Sequence, residues 1–277
     1  MPHVQVRQDK FGNIIALYQR GDTAPQFAFA AHMDHPGYVN GEFLGGVPEA
    51  YRAKNPPTRD FGAFAMWDLP AFEVRAKKIY SRACDDLIGC ATILTMFKEL
   101  ENTGAEASCY GLFTRAEEVG FVGAIHLAKG EEIPLDTTII SLETSSQLGG
   151  PVKMGAGVII RLGDRTGVFD SITSAQLLTL AKEREIPYQR ALMQGGTCEA
   201  TAYQLYGYRT AGLCVALGNY HNCGAKETIA SEYVSTEDVM AMVQLCAAAA
   251  SSGPLPNPQA ALREKYEKAY EKYRALF

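Results

Sequence analysis

Residues 110–124 read YGLFTRAEEVGFVGA, and this stretch decides the fold class. Residues 110–114 form a short apolar run with strand character, and two glycines further on mark the entry to a predicted helix. Glu117 and Glu118 therefore lie where a strand gives way to a helix. Because side chains at the carboxyl ends of strands in an open α/β sheet converge on the crevice that binds ligands, we expect both carboxylates to belong to a site.

Composition excludes several classes of function. The chain has 277 residues, of which 47% are hydrophobic, and this is enough for a sizeable core. A net charge of -5 gives no electrostatic reason to expect nucleic acid or an anionic membrane as partner. The N-terminus has no apolar leader pattern, and the longest apolar stretch, near residues 239–250, is too short to span a bilayer. We therefore predict a cytoplasmic protein without nucleic acid or membrane partners.

The seven cysteines also carry information about the class of protein. Their number is odd and no two form a C-x-x-C pair, so the sequence indicates neither a disulfide framework nor a thiolate zinc site. We expect most of them to be reduced residues of the core.

Strand and helix patterns alternate along most of the chain. This alternation predicts an α/β fold with a mainly parallel or mixed sheet flanked by helices on both faces. Between residues 38 and 80, glycines and prolines interrupt short apolar pieces, which predicts a small β-rich insertion or lid whose last strand covers residues 73–79. Residues 1–37 and 81–277 would form the catalytic domain. Strands are predicted at 4–7, 14–18, 27–31, 110–114, 137–142, 158–162 and 212–217. Helices are predicted at 91–100, with Asp85 and Asp86 at the N-terminal end, and at 174–184, 200–206, 236–250 and 259–277.

Polar residues recur where the predicted strands end. The set is His32, Asp85, Glu117, Glu118, Glu143 and His221. Two histidines with several carboxylates suit a pair of divalent metals better than a single one. In such a site the metals share a carboxylate and a water molecule, which they acidify into a nucleophile. One carboxylate must stay free to take the proton, and in the pair Glu117 and Glu118 one can bind metal while the other acts as the base.

Four motifs make the sequence recognisable. They are A-H-M-D-H-P-G at 31–37, C-D-D-L-I-G at 84–89, E-E-V-G-F-V-G-A at 117–124, and Tyr220-His221. In order and wording they resemble the co-catalytic zinc aminopeptidases, most closely the tetrahedral (TET) and glutamyl aminopeptidase family, through most of residues 9–245. The chain differs from the family pattern at Glu143, where the family usually has aspartate, and in its shorter insertion.

The resemblance implies a role for each site residue. Asp85 would bridge two metals, of which one adds His32 and Glu143 and the other adds Glu118 and His221. Glu117 would be the general base, and Asp34 is expected to hydrogen-bond the far ring nitrogen of His32. The implied reaction is attack of a hydroxide, held between two zinc ions, on the first peptide bond of a peptide. Cobalt or manganese would also accept this set of ligands.

The resemblance leaves other functions open. A deacylase or carboxypeptidase of the related family would need a dimerisation lid between Glu143 and His221, but predicted sheet-building segments fill that region. A catalytically silent homologue would lack the base, whereas Glu117 is present. We also expect a homo-oligomer, and the tyrosines of the last helix, Tyr266, Tyr270 and Tyr273, are typical of a packing or oligomer face.

Overall fold

The protein is built around a large mixed sheet. The computed structural model describes residues 1–147, 150, 152–253, 255 and 257–277. Its strands are β1 (Val4–Gln8), β2 (Ile14–Arg20), β3 (Phe27–His32), β4 (Gly37–Val39), β5 (Glu42–Leu44), β6 (Arg59–Asp60), β7 (Phe64–Met66), β8 (Glu73–Arg75), β9 (Lys78–Ser81), β10 (Ala107–Thr114), β11 (Thr138–Ser146), β12 (Val158–Asp164), β13 (Tyr188–Met193), β14 (Thr210–Gly218) and β15 (Glu232–Ser235).

The helices fill the intervals between these strands. They are α1 (Glu49–Lys54), α2 (Cys84–Thr103), α3 (Val122–Lys129), α4 (Ser171–Glu183), α5 (Glu199–Leu205), α6 (Thr236–Ser251) and α7 (Gln259–Tyr273). Among the described residues, no helix combines the length and the hydropathy needed to cross a bilayer. Residues 251–258, whose serines, glycine and prolines predict a linker, lie partly outside the described residues.

The strand order of the main sheet explains why one edge collects polar residues. The order is β1-β2-β10-β3-β11-β14-β15-β9-β8, and β12 extends the sheet beside β14 and carries β13. Within it β10, β3, β11 and β14 are parallel neighbours. Their carboxyl ends therefore meet at the same edge. The predicted α/β fold with a mixed sheet is confirmed.

Both faces of the sheet are covered by helices. Along β3 the side chains alternate, so that Phe27, Phe29 and Ala31 face one hydrophobic cluster, while Ala28 and Ala30 face another. Helices α2, α4 and α6 pack on the first face, and α3 and α5 pack on the second. Every residue of β3 is buried, which is typical of a central parallel strand with helices on both sides.

The segment between β3 and α2 forms two structures. Strands β4 to β7 make a separate four-stranded sheet in the order β5-β4-β7-β6. The single strand predicted at 73–79 is wrong, because Ala76 and Lys77 adopt positive φ angles of 47° and 59° and turn the chain between β8 and β9. Strand β9 then pairs with β15 of the main sheet. The division into a catalytic domain and an insertion stays a prediction.

Other elements differ from the sequence prediction in length or in existence. Strand β11 was predicted to stop at residue 142, but it continues to Ser146 because its last residues pair with β14. Glu143 therefore lies inside a strand. Strands β13 and β15 and helix α1 were not predicted, since each is short and bordered by polar residues. The last helix ends at Tyr273 and passes into a short 3₁₀ turn.

Candidate active site

The predicted site residues come from five segments at the carboxyl edge of the sheet. His32 is the last residue of β3, and Glu143 lies in β11. Asp85 stands at the start of α2, where its backbone angles are not helical, and Asp86 accepts a hydrogen bond of 3.0 Å from the N–H of Gly89. Glu117 and Glu118 occupy the turn after β10, and His221 lies in a 3₁₀ turn after β14.

The structure brings these six side chains together around one cavity of about 630 Å³. Asp85 lies between the two histidines, with Oδ1 3.5 Å from Nε2 of His32 and Oδ2 3.5 Å from Nε2 of His221. Glu118 approaches the same nitrogen of His221 at 3.3 Å. Glu117 and Glu143 each lie 4.0 Å from Nε2 of His32. The geometry therefore has Asp85 at its centre and one histidine on either side.

The donor set fits divalent cations. Ligand atoms of His32, Asp85 and Glu118 lie within 4.8 Å of one another, and so do those of His32, Glu117 and Glu143. Among the described residues, Asp85 Oδ1, Glu118 Oε1 and Glu143 Oε1 are buried without a hydrogen-bond partner. Buried carboxylate oxygens without a donor are costly, and imidazole with carboxylate is the ligand chemistry of zinc and related metals. The residues present are thus suited to hold metal.

Burial and mutual repulsion perturb the acids of this cluster in the metal-free protein. Burial raises the pKa of Glu117 to about 10 and that of Glu143 to about 8, with His32 opposing the shift in both. Burial would also raise the pKa of Asp85, but the imidazole rings of His221 and His32, each 3.5 Å from one of its oxygens, hold it well below its usual range. A bound cation would favour the ionised form of all three carboxyl groups.

Asp34 contacts both His32 and the glutamate pair, through different groups. Nδ1 of His32 contacts the backbone carbonyl of Asp34 at 3.0 Å, whereas the Asp34 carboxylate is 3.8 Å away. The carboxylate instead accepts the N–H groups of Glu117 at 3.0 Å and Glu118 at 3.2 Å. Asp34 therefore orients the His32 ring through its backbone and holds the turn of the glutamate pair through its side chain. The expected contact of Asp34 with the far ring nitrogen of His32 is present, and its acceptor is the backbone carbonyl.

Two arginines in the cavity wall are not among the site residues predicted from the sequence. Arg161 lies in β12 with only 4% of its surface exposed, and Arg190 lies in β13. Among the described residues, no carboxylate comes within ion-pair distance of Arg161, whose one hydrogen bond is to Ser145 Oγ at 3.4 Å. The available signal was a single charged residue inside the apolar run VIIRL at 158–162.

His35 and Tyr220 also touch the site. His35 is not among the predicted site residues, but its Nδ1 lies 2.7 Å from the carbonyl oxygen of Asp85. Its position three residues after His32 in the same motif was the available signal. Tyr220 stacks on the His221 ring with centroids 3.8 Å apart. This stacking covers one face of the imidazole and limits its rotation.

Comparison with known proteins connects this geometry to a family. Residues 59–245 match the family model described as M42 glutamyl aminopeptidase. A protein from Acetivibrio thermocellus, whose assigned name of aminopeptidase is provisional, is 32% identical over 122 residues, which are 43% of this chain and 36% of the relative. The matched segment thus spans little more than a third of that relative.

Solved structures share the fold. The TET1 peptidase of Pyrococcus horikoshii, described as assembling into a tetrahedron or a large octahedral shell, superimposes with a TM-score of 0.70 at 22% identity, covering 89% of each chain. An aminopeptidase from Desulfurococcus kamchatkensis gives 0.75 at 20% identity, covering 92% of this chain and 87% of the other. Because the family model matches well over half of the sequence, the chain belongs to the M42 glutamyl aminopeptidase family, whose members are peptide hydrolases.

Proposed function

We propose that the protein is a metal-dependent aminopeptidase that removes N-terminal residues from peptides with the help of two divalent cations. The observation that carries this proposal is the position of Asp85, whose two oxygens each lie 3.5 Å from a different histidine. A carboxylate flanked in this way has the arrangement of a ligand shared between two cations. Membership of an aminopeptidase family supports the same reaction.

The ligands divide between the two cations around Asp85. His32 and Glu143 would complete one site, and Glu118 and His221 would complete the other. Zinc is the expected ion, although cobalt and manganese accept the same nitrogen and oxygen donors. When bound, such cations polarise the scissile carbonyl, lower the pKa of a water molecule and hold the free amine of the substrate.

Glu117 is the proposed general base. Its carboxylate faces the same cavity, and Asp34 fixes its backbone by accepting its N–H. Glu117 would take the proton from the attacking water and deliver it to the departing amine, as one positioned carboxyl group can do in two successive steps.

We further propose a preference for an acidic first residue. Among the described residues, Arg161 is buried at the cavity wall with no carboxylate within ion-pair distance, while Glu143 and Asp164 act on its charge from further away. Arg190 lines the same wall. A buried guanidinium is best compensated by a carboxylate that binds it through charge-assisted hydrogen bonds. The side chain of an N-terminal glutamate or aspartate supplies one, and the family description agrees with this chemistry.

The assembly is also a proposal. The Pyrococcus horikoshii protein is described as assembling into a tetrahedron or a large octahedral shell. We propose a homo-oligomer here as well, since the chain covers most of that structure.

The reaction is tested with aminoacyl-anilides and their N-acetylated counterparts, using metal-free, zinc-loaded and cobalt-loaded protein. We expect cleavage only of substrates with a free amine and only with metal. Glu117→Gln should lower kcat by about 10²- to 10⁴-fold, the usual contribution of a general base, at unchanged metal content. Release of acetate from the acetylated substrates, with the anilide bond intact, would instead indicate a deacylase. Two bound metals without any cleavage would indicate a silent homologue, and absence of metal binding would refute the site.

The preference for an acidic first residue is tested with glutamyl-anilide and glutaminyl-anilide, whose side chains have nearly the same shape and differ in charge. Arg161→Met should lower kcat/KM for the glutamyl substrate by about 10- to 100-fold, because a hydrogen bond to a charged group is worth roughly 1.5–3 kcal/mol. The glutaminyl substrate should change much less, and Arg161→Lys should keep part of the preference. An equal loss for both substrates would mean that Arg161 supports the cavity wall and does not recognise charge.

A further inference from the structure

A buried carboxylate outside the proposed ligand set joins two of its members. Glu232 lies in β15, is fully buried and does not line the cavity. Its Oε1 accepts the N–H of His221 at 2.8 Å, and its Oε2 accepts the N–H of Asp85 at 3.0 Å. One carboxyl group thus holds the backbones of the two residues whose side chains approach to 3.5 Å in the cavity.

The loop that carries His221 needs such support. His221 itself has a φ of +52°, and Asn219 and Asn222 have φ values of +54° and +60°. For residues other than glycine, this left-handed backbone conformation costs free energy, and it persists only when the surrounding structure stabilises it. The N–H that Glu232 accepts belongs to the middle residue of this loop.

The strand pairing of β15 gives Glu232 this reach. Glu232 is the register partner of Ser81, which closes β9 shortly before Asp85. On its other side, β15 pairs with Leu217 and Gly218 at the end of β14, shortly before His221. The strand therefore lies between the two segments that deliver the two residues, and its first side chain points to both of their N–H groups.

His35 connects the same two segments a second time. His35 contacts the carbonyl of Asp85 through Nδ1 and the Oδ1 of Asn222 through Nε2, at 2.7 and 3.0 Å. The amide group of Asn222 donates to the carbonyls of Arg82 and Ala230, which fixes the direction of its oxygen. Asp85 is thus held at its N–H by Glu232 and at its carbonyl by His35.

We propose that Glu232 is a positioning residue that sets the distance between Asp85 and His221, and thereby the affinity for one of the two cations. This inference rests on the proposed metal site. Glu232 is not itself a ligand in this proposal, because both of its oxygens are engaged by backbone N–H groups. Partners that orient metal ligands typically contribute a factor of 10 to 100 in metal affinity.

The test is Glu232→Gln, which keeps the shape but leaves one oxygen and places an NH₂ group against a backbone N–H. The matched control is Asp238→Asn, because Asp238 is equally buried and accepts the N–H groups of Gly155 and Gly157, both at 2.7 Å, away from the cavity. Zinc binding is measured by equilibrium dialysis against buffered free zinc, with metal content per chain determined by mass spectrometry. The unfolding midpoint of the metal-free protein is recorded in parallel.

We expect wild-type protein and Asp238→Asn to bind two zinc ions with the same affinities. Glu232→Gln should bind one of them about 10- to 100-fold more weakly. Glu232→Asp keeps the charge and both acceptors on a shorter stem, so its zinc affinity should lie between those of the wild-type protein and Glu232→Gln. This variant serves as the test if Glu232→Gln does not fold.

Three outcomes would overturn the proposal. Wild-type affinities in both Glu232 variants would show that the carboxylate does not set the site. An equal loss in Asp238→Asn would assign the effect to general destabilisation. If the wild-type chain binds no zinc, the proposed function itself fails, and the positioning role fails with it.

Discussion

Glu199 is a buried carboxyl group near the site that the proposed mechanism does not use. It is fully buried at the start of α5. Burial raises its pKa to about 7, although His32 and the hydroxyl of Thr114 act in the opposite direction. The folded chain therefore keeps this proton to a higher pH than an unfolded chain, in which glutamate ionises near its ordinary pKa of 4.5.

We predict that Glu199→Gln flattens the pH dependence of stability. In metal-free protein the native state binds more protons than the unfolded state between about pH 4.5 and 7, so stability falls as pH rises through this window. The loss attributable to Glu199 should reach about 3 kcal/mol by pH 8. Urea denaturation at several pH values, with a chelator present, measures it.

The control is Glu237→Gln, at an exposed position on α6. Its stability profile should run parallel to that of the wild-type protein. If Glu199→Gln also gives a parallel profile, the carboxyl group does not bind its proton more tightly in the folded state.

At the scale of elements, α7 stands apart from the rest of the fold. None of its residues is buried, and Tyr266, Tyr270 and Tyr273 expose 63%, 62% and 46% of their surface. Helices in globular proteins gain most of their stability by packing an apolar face. An exposed row of aromatic residues at helical spacing therefore supports the expectation of an oligomer face, which stays a prediction.

We predict that removal of residues 259–277 leaves the folded body intact. Because α7 contributes no buried residue, the free energy of unfolding should change by no more than about 0.5 kcal/mol when measured on dilute monomer. Sedimentation at higher concentration should show smaller particles than the full chain forms. A variant with serine at the three tyrosines keeps the helix and should reproduce the change in size. Unchanged particles in both variants would contradict the oligomer face.

At the scale of the whole molecule, the candidate site connects most of the sheet. Its candidate ligands come from β3, β11, the start of α2, and the loops that follow β10 and β14. A cation bound there would hold together segments that are far apart in sequence. Metal binding should therefore be coupled to global stability as well as to activity.

We predict that zinc raises the unfolding temperature and that a chelator reverses the change. At a free concentration one hundred times the dissociation constant, binding to the folded state alone adds about 2.7 kcal/mol, which corresponds to roughly 5–10 °C for a chain of this size. Scanning calorimetry over a series of buffered zinc concentrations measures the shift. The double variant His32→Ala, His221→Ala should show none, and a wild-type midpoint that is insensitive to zinc would contradict a metal site.

The sequence by itself determined the fold class, most strands of the main sheet and the six residues that meet in the cavity. Buried strands such as β3 and β10 are recognisable because their apolar runs are local and uninterrupted. The polar residues that follow them could be grouped because parallel strands end at a common edge. His32, Glu117 and Glu118 were therefore predictable from pattern alone.

Only the tertiary structure decided how these residues are held and what lies beside them. Asp34 bonds the glutamate turn with its carboxylate, Arg161 enters the cavity wall, and Glu232 reaches Asp85 across 147 positions of sequence. The short strand β15 has no local signature, since its pairing partners β9 and β14 supply its hydrogen bonds. Periodicity is a property of neighbouring residues, whereas the choice of a hydrogen-bond acceptor depends on which distant segments the fold brings together.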